Sequence, residues 1–398
     1  MSALAPASDF PSPPDGVRAS IRLDHAASSP TPRVVLEAMD AFTAAPANVH
    51  RGGHHLAERA TSMYERAREH VADFLGTDAR QVVFTAGATA AIATVFAGLR
   101  LGPTDVVLAP VTEHHANLLP WLRGAAFEAM PLDRDGAIDL AALQARLARG
   151  PRPRLLACAW VSHLHGGAHP IAAIVALAHA AGVPVLVDAA QALAHLPCEL
   201  DALGIDYLVG SGHKLLGPTG VGVLAGSREA LERLDPLVIG GGAVERVSLV
   251  HGVTTKPLPW RLESGTPPIA AAIGLGRAVR YLDRLGRDAI AEHAAALARA
   301  LRGGLAAIPG VECLGAVEPV VPITCFRVGG LPPVAVARAL DERYGVLVRA
   351  GTLCAQPAFE HWGWRDGAVR ASAHVVSARA ELDALFEAAA ELARRFAR

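Results

Sequence analysis

The segments VPVLVDAAQALAH (183–195) and DYLVGSGHKLLGPTG (206–220) decide the fold, because each begins with a short, almost continuous apolar run. Such runs are typical of strands that are buried on both faces, as in a parallel sheet. Helices must cover both faces of that sheet, so the pattern predicts an α/β fold. The alternation extends along the chain, with apolar runs at 81–85, 105–110, 154–162, 220–226 and 320–328 and helical patterns at 88–99, 170–181, 268–305, 333–344 and from 379.

Asp188 and Lys214 each follow one of the two quoted runs, so both are expected at the C-terminal edge of the sheet, where parallel sheets bind ligands. A buried carboxylate usually needs a cationic partner, and desolvation lowers the pKa of a lysine and favours its nucleophilic amine. Arginine cannot form a Schiff base, and of the 37 basic residues only Lys214 and Lys256 are lysines. A structural ion pair or a helix cap for Asp188, and a coding bias behind the two lysines, remain open as alternatives.

A third signal is VVFTAGATAAIATVF (82–96), which predicts a strand, a glycine turn and the start of a helix. Backbone N–H groups at a helix N-terminus, together with the Thr89 hydroxyl, form an anion site suited to phosphate. Small residues are also common at such turns without any ligand, so this signal is weak by itself. The phosphate site, Asp188 and Lys214 together fit pyridoxal phosphate, whose phosphate, ring nitrogen and aldehyde need these three groups.

Seven segments carry a resemblance to a known family: LDHAASSPTP (23–32), NVHRGGHHLAERAT (48–61), TEHHANLLPW (112–121), VDAAQALAHLP (187–197), GSGHKLLGPTGVGVL (210–224), RLESGTPP (261–268) and VRAGTLCAQP (348–357). In this order they resemble the class V aminotransferase family, and within it the group II (SufS-type) cysteine desulfurases and selenocysteine lyases. The resemblance implies the pyridoxal phosphate-dependent transferase fold type I, with a mostly parallel seven-stranded sheet and a smaller α+β C-terminal domain. We expect a flexible arm at 1–20, a large cofactor-binding domain at 21–285 and a small domain at 286–398.

The resemblance also implies a role for each candidate site residue. Lys214 bonds to the cofactor aldehyde, His114 stacks on the cofactor ring, and Cys354 is the sulfur-accepting nucleophile. The implied cofactor contacts are Ala88, Thr89, His114, Asp188, Gln191, Ser211, His213 and Lys214, with Thr266 reaching across from the second subunit of a homodimer. The implied substrate contacts are Arg370, which grips the carboxylate in a bidentate fork, and His163, His54 and Arg349.

The implied activity is removal of sulfur or selenium from L-cysteine-like substrates, which leaves alanine and a persulfide on Cys354 for an acceptor protein or a reductant. Three positions depart from the family pattern. His163 replaces the usual asparagine, Thr352 and Leu353 stand where two histidines are common, and TAAIA (89–93) replaces TEAIN. The cofactor contacts survive these changes, while substrate choice is less secure. A buried, inert cysteine at 354 remains open, and with it a C–S lyase, an epimerase or a silent scaffold.

Composition limits the other function classes. The chain has 37 basic and 38 acidic residues and a formal net charge of -1, so nothing predicts a nucleic-acid or anionic-membrane surface. Five cysteines without a CxxC pair argue against disulfides and a zinc ribbon. The first residues have neither the basic start nor the apolar core of a signal peptide, so a cytoplasmic location is expected. Zinc at the histidines of 163–169 or 50–55 is a minor alternative, and no metal is expected.

Overall fold

A seven-stranded sheet forms the centre of the structure, a computed structural model that describes residues 1–133 and 135–396. A four-stranded sheet and two pairs of strands complete the β-structure of these residues. The strands, in chain order, are β1 (Ile21–Arg22), β2 (Val82–Thr85), β3 (Val106–Ala109), β4 (Ala126–Ala129), β5 (Leu155–Ala159), β6 (Val185–Asp188), β7 (Tyr207–Ser211), β8 (Gly222–Ala225), β9 (Val244–Ser248), β10 (Gly252–Thr255), β11 (Val311–Cys313), β12 (Ile323–Val328), β13 (Val346–Leu347), β14 (Arg349–Gly351) and β15 (Ala368–Ser372).

Helices lie between most of these strands. They are α1 (Arg33–Thr43), α2 (His55–Leu75), α3 (Ala88–Gly98), α4 (Leu119–Gly124), α5 (Leu140–Leu147), α6 (Ile171–Ala180), α7 (Leu200–Leu203), α8 (Arg228–Glu232), α9 (Ile269–Leu285), α10 (Arg287–Ala306), α11 (Pro333–Tyr344), α12 (Gln356–His361) and α13 (Arg379–Phe396). In the ranges that the structure describes, no helix combines the length and the apolar character needed to cross a membrane.

The order of the central sheet is β2-β8-β7-β6-β5-β3-β4. Strand β8 runs in the direction opposite to the other six strands of this sheet, so β2, β6 and β7 all end at the same edge. Asp188 is the last residue of β6, and Ser211 is the last residue of β7, with Lys214 shortly after it. The predicted α/β fold with a mostly parallel seven-stranded sheet is therefore confirmed.

The C-terminal part of the chain has its own apolar core, which the four-stranded sheet shares with α10, α11 and α13. The helical pattern over 268–305 is divided into two helices at Gly286, whose φ of 90° disfavours any other residue. Helix α9 packs on α1 and α2, while α10 packs on α13. This change of partners lies beside residue 285, where the sequence predicts the domain boundary; the predicted ranges 21–285 and 286–398 stay a prediction.

Part of the segment 1–20, for which the composition predicts a flexible arm, contacts the rest of the protein near residues 4–9, while residues 11–20 are exposed; the arm itself stays a prediction. The backbone N–H groups of Leu4 and Ala5 both donate to the carbonyl of Val375, at 2.9 Å each. The Tyr281 hydroxyl donates to a carboxylate oxygen of Asp9 at 2.7 Å. Tertiary contacts of this kind hold part of a segment whose proline-rich and serine-rich composition favours disorder, and composition does not reveal them.

An ion pair between Arg68 and Glu263 joins α2 to the segment that precedes α9. Both side chains are buried, and the guanidinium donates two hydrogen bonds to the carboxylate, at 2.6 and 2.9 Å. Glu263 also accepts bonds from the backbone N–H of Phe84 and the hydroxyl of Tyr64, and Arg68 donates to the carbonyl of Val82. A buried pair with these additional partners holds α2, β2 and the 261–268 segment together.

We predict that Glu263→Gln destabilises the protein by about 3–5 kcal/mol, because it leaves the Arg68 charge buried without its counter-charge. Urea unfolding of the two proteins measures the difference. The matched control is Glu229→Gln, which removes an exposed carboxylate of α8 paired with Arg233, the residue directly after that helix, and should cost under about 1 kcal/mol. Equal costs for the two variants would contradict the prediction.

Candidate active site

A cavity of about 230 Å³ opens at the edge of the sheet where β2, β6 and β7 end. Its wall combines that edge with residues of the C-terminal part of the chain. Twelve of the site residues predicted from the sequence line it: Ala88, Thr89, His114, His163, Asp188, Gln191, Ser211, His213, Lys214, Arg349, Cys354 and Arg370.

Asp188 and Lys214 place opposite charges at the inner end of this cavity. Asp188 is buried, and one of its oxygens accepts the backbone N–H of Ala190 at 3.0 Å. Burial raises the pKa of Asp188, and the charge of Lys214 acts in the opposite direction. Burial lowers the pKa of Lys214 to about 8; Asp188 opposes this change and Arg370 adds to it. Lys214 therefore provides a larger fraction of neutral, nucleophilic amine near neutral pH than an exposed lysine does, although the protonated form still predominates.

The N-terminus of α3 borders the same cavity and meets the requirements of a phosphate site. The Ser211 hydroxyl accepts the Ala88 N–H at 2.9 Å, which brings the end of β7 against the first turn of the helix. Glycine permits this approach, because a Cβ at Gly222 would lie 2.5 Å from the Cα of Gly87. Helix N–H groups and the hydroxyls of Thr89 and Ser211 therefore converge on one side of the cavity.

His114 lies at the start of a short turn, and its ring is fixed by a local hydrogen bond. Its Nδ1 accepts the backbone N–H of Ala116 at 3.1 Å, so the proton of the neutral ring is on Nε2. Burial, followed by the charge of Lys214, lowers the pKa of His114 to about 4. The imidazole is therefore neutral at neutral pH, and the ring is suited to contact with an aromatic cofactor.

Arg370 and Arg349 provide positive charge at the opposite wall. Arg370 is buried; its Nη1 donates to the carbonyl of His163 at 3.2 Å and its Nη2 to Asp24 at 3.4 Å. Its Nε is buried and has no hydrogen-bond partner among the described residues. Arg349 is half-exposed and donates to the other oxygen of Asp24 at 3.4 Å. The pair can bind a substrate carboxylate.

Cys354 is the exposed cysteine among the five, all of which the structure describes. It lies between β14 and α12 in a left-handed backbone conformation, with φ of 58° after 51° at Leu353. Burial raises the pKa of the thiols of Cys158, Cys198 and Cys325, which makes them poor nucleophiles. The thiol that borders the cavity is therefore the accessible one.

Sequence reasoning missed Glu113, which holds the loop that carries His114. Its two oxygens accept the backbone N–H of Ala159 at 2.8 Å and the side-chain amide of Asn117 at 2.7 Å. Burial raises the pKa of Glu113 to about 8. The contacts tie the loop that carries His114 to the end of β5, and the only sequence signal was the position of this glutamate directly before the histidine.

His54 and Thr266 do not line the cavity in this chain. His54 is exposed and caps α2, where its Nδ1 accepts the backbone N–H of Ala57 at 3.4 Å. Thr266 is exposed, with its hydroxyl 3.5 Å from the side-chain amide of Asn48. The predicted roles of both residues stay predictions.

The model of the family described as aminotransferase class-V matches residues 21–385 of the chain. The chain belongs to this family. Class V aminotransferase membership confirms the resemblance predicted from the motifs. It also makes the protein an enzyme dependent on pyridoxal 5′-phosphate, the cofactor that the site residues predict.

Curated relatives and solved structures place the chain within this family. It is 39% identical to the cysteine desulfurase of Dickeya dadantii, over 91% of this chain and 89% of that protein. It is 38% identical to a probable cysteine desulfurase of Mycolicibacterium paratuberculosis, over 97% of this chain but only 57% of that longer protein. The apo cysteine desulfurase of Thermococcus onnurineus superposes with a TM-score of 0.89 at 35% identity, over 95% of each chain. The Escherichia coli cysteine desulfurase CsdA, in an S-sulfonic acid form, has a TM-score of 0.86 at 36% identity, over 97% of each chain.

Several histidines near the site are buried rather than arranged as ligands. Within residues 1–133 and 135–396, no group of three His, Cys, Asp or Glu side chains has a geometry that could hold a metal ion. Burial lowers the pKa of His165 to about 3 and that of His169 to about 4. The Nδ1 of His165 accepts the backbone N–H of Gly167 at 3.1 Å, so its ring has a local structural role.

These low pKa values predict a loss of stability in acid. In the unfolded chain these histidines have a pKa near 6.5. Below that pH they take up protons in the unfolded chain but not in the folded protein, so the free energy of unfolding falls as the pH falls. Asparagine at position 165 keeps an acceptor for Gly167 but does not titrate. We therefore predict that, between pH 7.5 and 5, the free energy of unfolding falls by about 2 kcal/mol less in His165→Asn than in the original protein. Urea unfolding at both pH values measures the two losses, and equal losses would count against the assignment.

Proposed function

We propose that the protein is a cysteine desulfurase-like enzyme that removes sulfur or selenium from L-cysteine-type substrates and leaves alanine and a persulfide on Cys354. The observation that carries the proposal is the exposed Cys354 thiol at the wall of the cavity that also holds Lys214 and Arg370. The names of the curated relatives at 36–40% identity support it. A thiol and an amine at one small cavity suit a reaction that breaks a carbon–sulfur bond.

The residues of the cavity fit pyridoxal 5′-phosphate. In the proposal, Ala88, Thr89, Ser211 and His213 hold the phosphate. Asp188 holds a proton on the ring nitrogen, and Gln191, whose amide nitrogen donates to the carbonyl of Ala26 at 2.9 Å, contacts the ring oxygen. When bound, the cofactor supplies an electron sink for the charge that develops at the substrate Cα.

Lys214 and the arginines act on the substrate amino acid. Arg370 binds the carboxylate through its guanidinium, and Arg349 adds positive charge at the mouth. Lys214 would hold the cofactor through its aldehyde, and its free amine would remove the proton from the substrate Cα. A pKa near 8 suits both tasks, because the amine must be neutral to accept that proton.

Cys354 then accepts the sulfur atom. Its thiolate attacks the substrate Sγ, so an S–S bond forms while the Cβ–Sγ bond breaks, and the electron pair of the broken bond goes to the substrate carbon. Protonation at that carbon gives the methyl group of alanine. The persulfide on Cys354 transfers its outer sulfur to a thiol of an acceptor protein or of a small reductant.

The proposal includes a homodimer in which Thr266 of the partner subunit completes the phosphate site, and it places His54 at the substrate entrance. Both residues are exposed in the single chain, which leaves them available for such contacts. The cytoplasmic location and the acceptor protein are part of the proposal and rest on the sequence alone.

Borohydride reduction tests the covalent role of Lys214. The chain has two lysines, so Lys256→Ala is a matched control for Lys214→Ala. We expect digestion of the reduced, cofactor-loaded protein to give a pyridoxyl group on the peptide that contains residue 214, in both the original protein and the Lys256→Ala variant. The Lys214→Ala variant should lack it. A label on Lys256, or none at all, would show the cofactor assignment to be wrong.

Cys354→Ser tests the persulfide step. We expect alanine formation from L-cysteine to fall by about 100-fold or more, because the thiol that attacks the substrate sulfur is lost. The variant should still bind L-cysteine, and the absorbance of the cofactor measures this binding. The control is Cys313→Ser, at a partly buried cysteine outside the cavity, which should keep full activity. Unchanged alanine formation in Cys354→Ser would refute the step, and pyruvate with sulfide as products would indicate a C–S lyase.

A further inference from the structure

His163 makes a direct contact with the turn that carries Cys354. The His163 ring is buried, with 5% of its surface exposed, and its Nε2 lies 3.2 Å from the carbonyl oxygen of Leu353. A carbonyl only accepts, so the ring proton is on Nε2 and is donated to Leu353. Burial and the nearby charges hold the pKa of His163 well below its usual value, so the neutral donor form persists at working pH.

The turn needs such support because its backbone is in an unfavourable region. Leu353 and Cys354 have φ of 51° and 58°, and left-handed residues other than glycine cost about 1–2 kcal/mol each. Two hydrogen bonds hold the turn from outside, from His163 to the Leu353 carbonyl and from the His115 N–H to the Cys354 carbonyl at 2.8 Å. A third, from Ala355 N–H to the Thr352 carbonyl at 2.8 Å, closes the turn itself.

His163 also contacts the parts of the site that bind the cofactor and the substrate. Its ring meets the His114 ring edge to face, at 5.2 Å between centroids. Its own carbonyl accepts the Arg370 Nη1 at 3.2 Å. One residue thus connects the ring-stacking histidine, the carboxylate-binding arginine and the cysteine turn.

We propose that His163 is a positioning residue that holds the Cys354 thiol at the mouth of the cavity, through the hydrogen bond from its Nε2 to the carbonyl of Leu353. The effect of His163 on catalysis rests on the proposed function. Its structural effect on the turn at residues 352–355 does not depend on that function. Loss of the donor lets residues 352–355 relax toward ordinary backbone conformations, so the thiol spends less time in reach of the substrate sulfur. Sulfur transfer then slows while binding of the amino acid is largely kept.

Two substitutions separate the hydrogen bond from the packing of the ring. His163→Phe keeps a ring against His114 but has no donor, and His163→Gln loses the ring but keeps an N–H that can reach a carbonyl. The control is His165→Asn, at a buried histidine whose ring accepts a bond from Gly167 instead. Hydrogen exchange of the Ala355 amide in the cofactor-loaded protein reports the turn, and iodoacetamide labelling of Cys354 gives a second readout.

We expect exchange at Ala355 to accelerate by up to about tenfold in His163→Phe, as loss of one hydrogen bond allows, and to return toward the original rate in His163→Gln. The labelling rate of Cys354 should change in the Phe variant alone. In a kinetic assay, kcat for alanine formation should fall by a similar factor in His163→Phe with KM within about twofold. If His163→Phe does not fold, His163→Ala is judged by the same measurements.

Unchanged exchange and labelling in the variant without a donor would overturn the proposal, whatever its activity. Equal effects in His165→Asn would also overturn it, because they would indicate general loosening. If exchange and labelling respond as expected while the original protein forms no alanine from L-cysteine, the positioning role stands and the proposed desulfurase function fails.

Discussion

The burial of one amine beside one carboxylate at the end of a parallel sheet is the constraint on which the site depends. Lys214 and Asp188 each lose hydration there, and each partly restores the charged form of the other. Neighbouring strands lie about 4.8 Å apart, so groups at the ends of β6 and β7 can act on a single small ligand. Because such a pair contributes little net stability, the apolar strands around it must supply the stability that keeps it in place.

The regular part of the fold could be predicted from the sequence because β5, β6 and β7 are buried on both faces and form uninterrupted apolar runs. Strand β4 at the edge of the sheet was not predicted, since its half-exposed residues, Glu128 among them, do not form such a run. The contacts of the first ten residues depend on partners distant in sequence, such as Val375, whose carbonyl accepts from Leu4 and Ala5. Local patterns carry no signal for contacts so distant in sequence.

Some of the site residues could likewise be predicted from the sequence, and others could not. Asp188 and Lys214 were predictable because the end of a strand fixes where they lie, whereas Ser211 was predicted from the family resemblance. Arg370 donates a hydrogen bond to Asp24, 346 residues earlier, and Arg68 donates one to Glu263, 195 residues later. No local pattern indicates either pairing. Glu113 was not predicted, because the histidine that follows it already accounted for the motif. The motifs thus identified the groups that line the cavity better than the groups that hold them in place.

The two halves of the site differ in rigidity, and that difference suits the chemistry. The amine and the carboxylate lie at strand ends whose backbone is fixed by hydrogen bonds within the sheet. Cys354 lies on a left-handed turn that external hydrogen bonds hold against its own backbone preference. In the proposed reaction, Cys354 attacks a substrate sulfur and then presents the acquired sulfur to an acceptor, so it needs two positions. A turn held by a few bonds can supply both, whereas a strand end supplies only one.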